Sequence, residues 1–556
     1  MRTVIIGGVA GGASAAARLR RLREKDEIII LERGDFISFA NCGLPYYIGD
    51  EIKDKRMLTL QTPQTFRTRF NIDVRVRNEA VKIDPETHVV TVHDLEADKT
   101  YDLLYDKLIL SPGAEPIRLE IEGIDLPHVF TLRNIPDTIK IKAFIDEKNP
   151  KNAVVVGGGY IGAEMAENLV KAGLNVTIVE LADHLIAPLD ADMAADVHQY
   201  IREKGVALHL NNGVTKITEN AVHLQNGSID ADFVILSVGV RPETAFVKEC
   251  GLALNHRGSI IVNKQMQTNA PDIYAVGDAV EVGDYVTGMP SFVPLAGPAN
   301  KQGRIAADNI AGISSEYKGT QGSAILKLFD MTIATTGLNE QRAKAAGIEY
   351  DKTYTFSTSH ANYYPGAENM SVKILWDKLS LRLIGAQIVG YDGVDKRMDV
   401  LATAIRFGAK VTDLTELELC YAPPFGSAKD PVNMAGFVAE NVISGKMKQY
   451  FWHDVDALPR DGSVTLLDVR TQTEVQRGKI EGFRLIPLDT LRDHLNEIPK
   501  DKPVYVHCHS GLRSYIACRL LTAYGYECYN LAGGWRLYES VMNDRTVPPY
   551  ICTECI

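Results

Sequence analysis

Two cysteines in this chain sit where their neighbours reveal what they could do. Cys42 lies in Ser38-Phe39-Ala40-Asn41-Cys42-Gly43-Leu44-Pro45, and the next cysteine along the chain is Cys250. An internal disulfide centre needs a second thiol close by. A lone thiol instead forms its mixed disulfide, persulfide or sulfenic acid with something from outside. Cys508 lies in Val504-Tyr505-Val506-His507-Cys508-His509-Ser510-Gly511-Leu512-Arg513-Ser514, which reads as a buried strand, a tight loop and a helix start. Backbone N–H groups around such a loop point inward, and the helix N-terminus with Arg513 is expected to lower the thiol pKa. Cys552 and Cys555 form a CxxC near the C-terminus without a strand–helix setting. Two ligands cannot complete a tetrahedral zinc site, so no metal is expected. A mobile pair of thiols and an electron or sulfur relay are the readings left for that pair.

The elements that must position Cys42 are two βαβ openings. The first runs from Val4-Ile5-Ile6 through Gly7-Gly8-Val9-Ala10-Gly11-Gly12 into a helical pattern over Ala13 to Leu22, then a strand from Ile28 to Leu31 ending at Glu32. The second runs from Ala153 to Val156 through Gly157-Gly158-Gly159-Tyr160-Ile161-Gly162, a helix to Leu169, and a strand from Val176 to Val179 ending at Glu180. Each places a helix N-terminus where a pyrophosphate can accept backbone N–H bonds, and an acid roughly 20 residues on, where a ribose 2′-hydroxyl would lie. Val9 replaces the middle glycine of the first loop, which should push the backbone slightly away without abolishing the site. Glu180 hydrogen-bonds a free 2′-hydroxyl but repels a 2′-phosphate, and no arginine or lysine follows it in Leu181-Ala182-Asp183-His184. NADH is therefore expected over NADPH. A further buried strand, Ile273 to Val276, leads into Gly277-Asp278, whose acid either meets a polyol or simply makes a turn.

The 556 residues suggest roughly three or four domains, and 45% hydrophobic with 24% charged residues is an ordinary globular balance. Net charge is −11, from 60 Lys+Arg against 71 Asp+Glu, which argues against general nucleic-acid binding. No signal peptide is read at Met1-Arg2-Thr3, no apolar run approaches the roughly 20 residues of a membrane span, and eight scattered cysteines fit a reducing cytoplasm. The expected fold class is α/β: two Rossmann-like domains, an α+β domain and a C-terminal α/β domain. The domains expected are 1–110 with 251–325, 111–250, 326–443 and 450–547, with a tail at 548–556. The α+β domain shows strands at 324–329, 371–375 and 383–389 and a helix near 400–407. Residues 444–449 read as a linker.

Taken together, the first 440 or so residues resemble the pyridine-nucleotide disulfide oxidoreductases, in which an FAD domain is interrupted by an NAD(P)H domain and followed by a dimerisation domain. The resemblance implies that Gly7, Gly12, Glu32, Arg33 and Asp278 hold FAD and that Gly157, Gly159, Gly162 and Glu180 hold the nicotinamide nucleotide. Ser111-Pro112-Gly113-Ala114 resembles the crossing between the two domains. Ser-Phe-x-x-Cys-Gly resembles the single-cysteine branch: coenzyme A-disulfide reductases, NADH peroxidases and NADH oxidases. The peroxidases and oxidases carry a histidine in the first glycine loop where this chain has Ala10, so oxygen chemistry lacks its expected proton donor. His360-Ala361-Asn362-Tyr363-Tyr364-Pro365-Gly366 and Tyr421-Ala422-Pro423-Pro424 resemble the reductases, where tyrosines reach the thiol and flavin of the partner subunit. Tyr363 fits that position better than Tyr364. Ser14, Arg18, Arg21, Ser38, Asn41, Asn300 and Lys429 match the coenzyme A positions. The helix carries Arg18, Arg20 and Arg21, of which Arg18 and Arg21 share a face at i, i+3 spacing, and the alternative is that this basic face is simply solvated.

Beyond the linker the chain resembles rhodanese sulfurtransferases, through Asp468-Val469-Arg470, Lys479-Ile480-Glu481-Gly482 and Leu531-Ala532-Gly533-Gly534-Trp535. Related phosphatases space cysteine and arginine one residue further apart than Cys508 and Arg513, and the shorter loop suits a persulfide. The implied protein is a cytoplasmic homodimeric flavoenzyme with no nucleic-acid or membrane partner. NADH and FAD would reduce Cys42, and coenzyme A would be substrate or carrier, ferrying sulfane sulfur from a tethered Cys508. The alternatives are plain reduction of coenzyme A disulfide, an NADH oxidase or peroxidase, and a flavin-based thiol redox sensor.

Overall fold

The computed structural model describes residues 1–547. They divide into two compact units, residues 1–182 with 209–322 and residues 183–208 with 323 onward. In the first unit the strand Arg2–Ile6 carries Val4, Ile5 and Ile6, all buried. Continuous burial of that kind belongs to a parallel sheet covered on both faces. The sheet runs in the order Ile273–Ala275, Lys107–Leu110, Arg2–Ile6, Glu27–Glu32, Asp73–Val76, every pair parallel.

The first helix spans Ala10–Leu22, earlier than the apolar pattern from Ala13 suggested, because the glycines themselves make its first turn. Gly7 adopts φ +93°, and a Cβ on Gly12 would lie 1.9 Å from the Gly7 carbonyl oxygen. Only glycine lets strand, turn and helix approach this closely. Val9 takes the N-cap place, its carbonyl accepting from the Ala13 N–H at 2.9 Å. The helix Ala296–Ile310 crosses this one at Gly303, where a Cβ would meet the Gly11 carbonyl oxygen at 2.3 Å.

The same logic repeats in the second parallel sheet, in which Asn175–Val179, Asn152–Val156, Phe233–Leu236 and Val129–Thr131 lie in that order. Its first turn holds Gly157 at φ +105° and leads into the helix Tyr160–Lys171, where a Cβ on Gly162 would fall 1.9 Å from the Gly157 carbonyl oxygen.

The second unit opens on the helix Ala191–Glu203. Next comes an antiparallel sheet in the order Ala324–Leu328, Met331–Gly337, Leu383–Gly390, Asn369–Asp377, Tyr350–Thr358. The helix expected near 400–407 begins at Val394, since buried Arg397 and Met398 extend its packed face toward the N-terminus. The segment expected as a linker is partly strand: Lys448–Tyr450 pairs with Cys528–Leu531 and forms the edge of the last sheet. That sheet continues through Val504–His507, Thr465–Asp468 and Arg484–Leu485. The alternating Lys-Met-Lys-Gln composition hid a strand whose pairing partner lies some eighty residues away.

Two polar clusters hold this unit together. Lys373, fully buried, donates to Asp190 and Asp192 at 2.8 Å and to Glu340 at 2.7 Å, and the Trp452 Nε1–H reaches Asp192 at 3.3 Å. Against the helix Ala191–Glu203 lies the helix Gly534–Thr546. Across that contact Asp544 receives His198 Nδ1–H at 2.7 Å and Arg202 at 2.6 Å, and Ser540 donates to Asp196 at 2.6 Å. The C-terminal sheet is thus docked onto its neighbours within the unit, not left swinging on a tether. Among the described residues no helix is long and apolar enough to cross a membrane.

Candidate functional site

Cys42 is the middle residue of a one-turn helix, Asn41–Gly43, that runs on into the helix Leu44–Ile48. Its thiol is free and exposed. Surrounding protein nevertheless desolvates it and raises its pKa, and the charges of Glu164 and Asp278 push the same way. Burial also lifts Asp278 to about 6. Sequence reasoning passed over Glu164. It lies on the helix Tyr160–Lys171, accepts a hydrogen bond from the Tyr46 hydroxyl at 3.3 Å, and is raised to about 7, mainly by burial. The signal was local: a carboxylate two residues past Gly162, facing the thiol's own helix.

Glu32 and Glu180 do matching work at the two glycine turns. Glu32 accepts from the Gly8 N–H at 3.1 Å and the Gly34 N–H at 2.9 Å. Glu180 accepts from the Gly158 N–H at 2.6 Å and the Ala182 N–H at 2.8 Å. Both carboxylates are thereby fixed beside their turns. Arg33 pairs with Glu243 and approaches Glu79 at 3.7 Å. A Cβ at Gly159 would meet nothing within 4 Å, so that glycine borders open space.

A surface recess of about 380 Å³ lies in the same unit, and Ser14, Arg18, Arg21, Ser38 and Asn300 all line it. The structure thus gathers five of the seven residues expected to meet coenzyme A. Asn41 is exposed near Cys42 but not in the wall, and Lys429 belongs to the other unit. The helix's arginines divide three ways. Arg18 donates to Asp308 at 2.7 Å. Arg20, on the same helix, is buried and gives its guanidinium to the carbonyls of Phe70, Asn71, Arg23 and Glu24. Arg21 is exposed in the wall. Arg304, Phe66 and Phe70 also line the recess, and no local motif marked them.

In the second unit the hydroxyls of Tyr363 and Tyr421 meet at 2.8 Å, both side chains exposed. Their loops are tied by the Ala361 N–H donating to the Gly426 carbonyl at 3.0 Å. Buried Arg397 anchors both, reaching the Ser359 carbonyl at 2.8 Å and Asp430 at 3.0 Å. Tyr364 instead packs edge-on against His360.

The Cys508 thiol is buried. It accepts from the Gly511 N–H at 3.1 Å and the Ser514 hydroxyl at 3.2 Å. The helix Gly534–Thr546 closes the loop from behind, with the Trp535 and Arg536 N–H groups on the Cys508 and His509 carbonyls at 2.8 and 2.9 Å. Gly534 is obligatory here, since a Cβ would lie 2.7 Å from both carbonyl oxygens. The separated sequence motifs converge: Arg470 pairs with Asp468 at 2.8 Å and lies over the Trp535 ring at 4.7 Å. Arg513 gives both terminal nitrogens to Glu474, at 2.8 and 2.5 Å. The Cys552–Cys555 pair lies outside the described residues.

Residues 1–303 match the pyridine nucleotide-disulphide oxidoreductase family, residues 323–431 its dimerisation domain, and residues 452–540 the rhodanese-like domain. A coenzyme A disulfide reductase of Staphylococcus epidermidis is 38% identical over 441 residues, 79% of this chain and 100% of that relative. The crystal structure of reduced Bacillus anthracis CoADR-RHD is 50% identical, with a TM-score of 0.96 covering 98% of this chain and 99% of that one. An NAD-dependent persulfide reductase from A. fulgidus is 36% identical, with a TM-score of 0.90 over 97% of this chain and 100% of its own.

Proposed function

The chain belongs to the pyridine nucleotide-disulphide oxidoreductase family, and from that premise we propose that it uses NADH to reduce coenzyme A disulfide, or sulfane sulfur carried on coenzyme A, at Cys42. One observation carries the reading. Cys42 and Ser38 share a loop, and Ser38 belongs to the recess that also gathers Ser14, Arg18, Arg21 and Asn300. A lone thiol beside a basic recess suits a thiol substrate that bears phosphates.

In this reading 1–110 with 251–325 would bind FAD, 111–250 the nicotinamide nucleotide, 326–443 would serve dimerisation and 450–547 sulfur transfer. The residues fit the cofactors. Gly7 and Gly12 let strand, turn and helix close against backbone carbonyls that a Cβ would strike, which leaves the helix N-terminus free to meet a pyrophosphate, and with Glu32, Arg33 and Asp278 they would hold FAD. Gly157, Gly159, Gly162 and Glu180 would hold NADH. Glu180, fixed by two backbone amides, disfavours a 2′-phosphate by charge. Bound FAD supplies the two-electron path from NADH to the thiol.

The protein's own steps are thiol chemistry. The Cys42 thiolate attacks one sulfur of coenzyme A disulfide; a Cys42–coenzyme A bond forms, the substrate S–S bond breaks, and one coenzyme A thiolate leaves. Two electrons then return Cys42 to the thiolate and release the second coenzyme A. With a persulfide the same two electrons yield coenzyme A and sulfide. Tyr363 and Tyr421, reaching Cys42 of the other subunit of a homodimer, would donate the proton to the departing thiolate. Asn41 and Lys429 complete the coenzyme A contacts in this reading. Cys508 supplies sulfane sulfur as a persulfide, and coenzyme A carries it. In this reading the pantetheine arm makes the journey, and the docking of the C-terminal sheet within its unit supports it.

Ala10 counts against an oxidase or peroxidase, because the loop offers no imidazole. The test is NADH consumption with coenzyme A disulfide, coenzyme A persulfide, polysulfide, oxygen and peroxide, on wild type, Cys42→Ser and Cys508→Ser. Turnover with the coenzyme A substrates that vanishes in Cys42→Ser is expected. Oxygen as the best acceptor would overturn the reading. Unchanged polysulfide turnover in Cys508→Ser would remove the relay. No NADH consumption with any acceptor would leave a redox sensor.

A further inference from the structure

The cations around Cys508 are all engaged before any donor arrives. Arg513 is held in a two-toothed pair by Glu474. Arg470, 1% exposed, is closed on Asp468 and the Gly478 carbonyl. Arg536 lies over the Phe356 ring at 4.4 Å and reaches the Ser371 hydroxyl at 3.4 Å. Burial pushes the pKa of His507 down to about 4 and lowers that of His509, so neither imidazole adds charge at neutral pH. The Glu474 carboxylate is fixed independently of Arg513. As the third residue of the helix Gln472–Arg477 it accepts from the Thr471 N–H at 2.9 Å and hydroxyl at 2.8 Å, while Thr471 caps the helix. Such a reciprocal cap sets the carboxylate's position, and the planar guanidinium matches it with two parallel bonds.

We propose that Glu474 sets the donor specificity of the Cys508 loop: by neutralising Arg513 it disfavours oxyanion donors such as thiosulfate and leaves the loop to thiol-borne persulfides. This rests on Cys508 acting as a sulfur-transfer nucleophile. The Cys508 thiolate attacks the sulfane sulfur; a Cys508 S–S bond forms, the donor S–S bond breaks, and the electron pair leaves with the donor remnant. From a persulfide that remnant is a thiolate, which takes up one proton as a neutral thiol. From thiosulfate it is sulfite, a dianion that needs a cation, and the loop's own arginine, Arg513, is bound to Glu474.

The readout is the ratio of kcat/KM for glutathione persulfide to that for thiosulfate, measured on the full-length flavoenzyme with cyanide as acceptor. A ratio cancels any loss of folded protein. Wild type is expected to favour the persulfide by about a hundredfold. Glu474→Gln frees Arg513 and is expected to lower the ratio by about tenfold or more, through thiosulfate, as one charge-assisted bond to an anion would. That gain should shrink as salt rises. Glu474→Asp, which keeps the charge, should stay nearer wild type. A wild-type ratio of one or below overturns the proposal, as does an unchanged ratio in Glu474→Gln. Transfer that persists in Cys508→Ser from both donors would instead refute Cys508 as the nucleophile, a separate failure.

Discussion

Replacing Glu164 with glutamine tests how the fold manages the Cys42 thiol without an imidazole nearby. The amide keeps the shape and can still accept from the Tyr46 hydroxyl, but it cannot ionise. Burial, with the Glu167 charge adding to it and the Tyr46 bond opposing it, raises Glu164 from 4.5 to about 7. That difference corresponds to roughly 3 kcal/mol between its two protonation states. Other groups facing this cluster are Glu51 and Lys171, which pair with each other, Cys42 itself, and Asp278.

As the pH rises through about 7, Glu164 gains charge and further discourages thiolate formation at Cys42. Alkylation of Cys42 by iodoacetamide, followed from about pH 5.5 to 9.5 on the reduced holoenzyme, should show an inflection near pH 7 in wild type. In Glu164→Gln that inflection should vanish and the thiol should titrate at lower pH, while any inflection from Asp278 near pH 6 stays. Stability supplies a second readout. A carboxyl whose folded pKa is raised favours the fold below pH 4.5 and loses that advantage as pH rises through 7. Wild type should therefore lose more thermal stability than Glu164→Gln between pH 5 and pH 8. Superimposable alkylation profiles would refute the reasoning.

Three further outcomes are expected. Lys373→Met removes the cation shared by buried Asp190 and Asp192 and by Glu340, which keeps Lys352, and should cost about 3–5 kcal/mol, read as a lower denaturant midpoint. His198 accepts the Leu185 N–H at Nε2 and donates from Nδ1 to Asp544, and its pKa is lowered, chiefly by burial. Its stabilising contribution is therefore full above pH 6.5 and fades as pH falls through the lowered value, so amide exchange in 534–546 should quicken below pH 6.5 and do so less in His198→Gln. Glu180→Ala should raise kcat/KM for NADPH relative to NADH, and a ratio that does not move would remove the carboxylate from nucleotide selection.

What the sequence made legible was local. The glycine turns, Glu32, Glu180, Cys42 and the Cys508 loop each lie in a short continuous stretch, with Glu32 24 residues and Glu180 22 residues from the turn amides they accept from, and spacing marks them. What it hid depends on distant partners. Nothing local marked Arg20 as buried, since the carbonyls of Phe70 and Asn71 that hold it lie some fifty residues on. Lys448–Tyr450 looked like linker because its ladder partner lies far along the chain. The helix Ala191–Glu203, interleaved in sequence with the second nucleotide fold, packs with the C-terminal helix through Asp196, His198 and Arg202.

The most direct measurement of the central claim is where coenzyme A attaches. Reduced enzyme is mixed with excess coenzyme A disulfide, quenched with acid and mapped by peptide mass spectrometry, before and after NADH is added. The account predicts coenzyme A on Cys42, released by NADH. Its absence from Cys42, or an adduct confined to Cys420 or Cys508, would contradict the account.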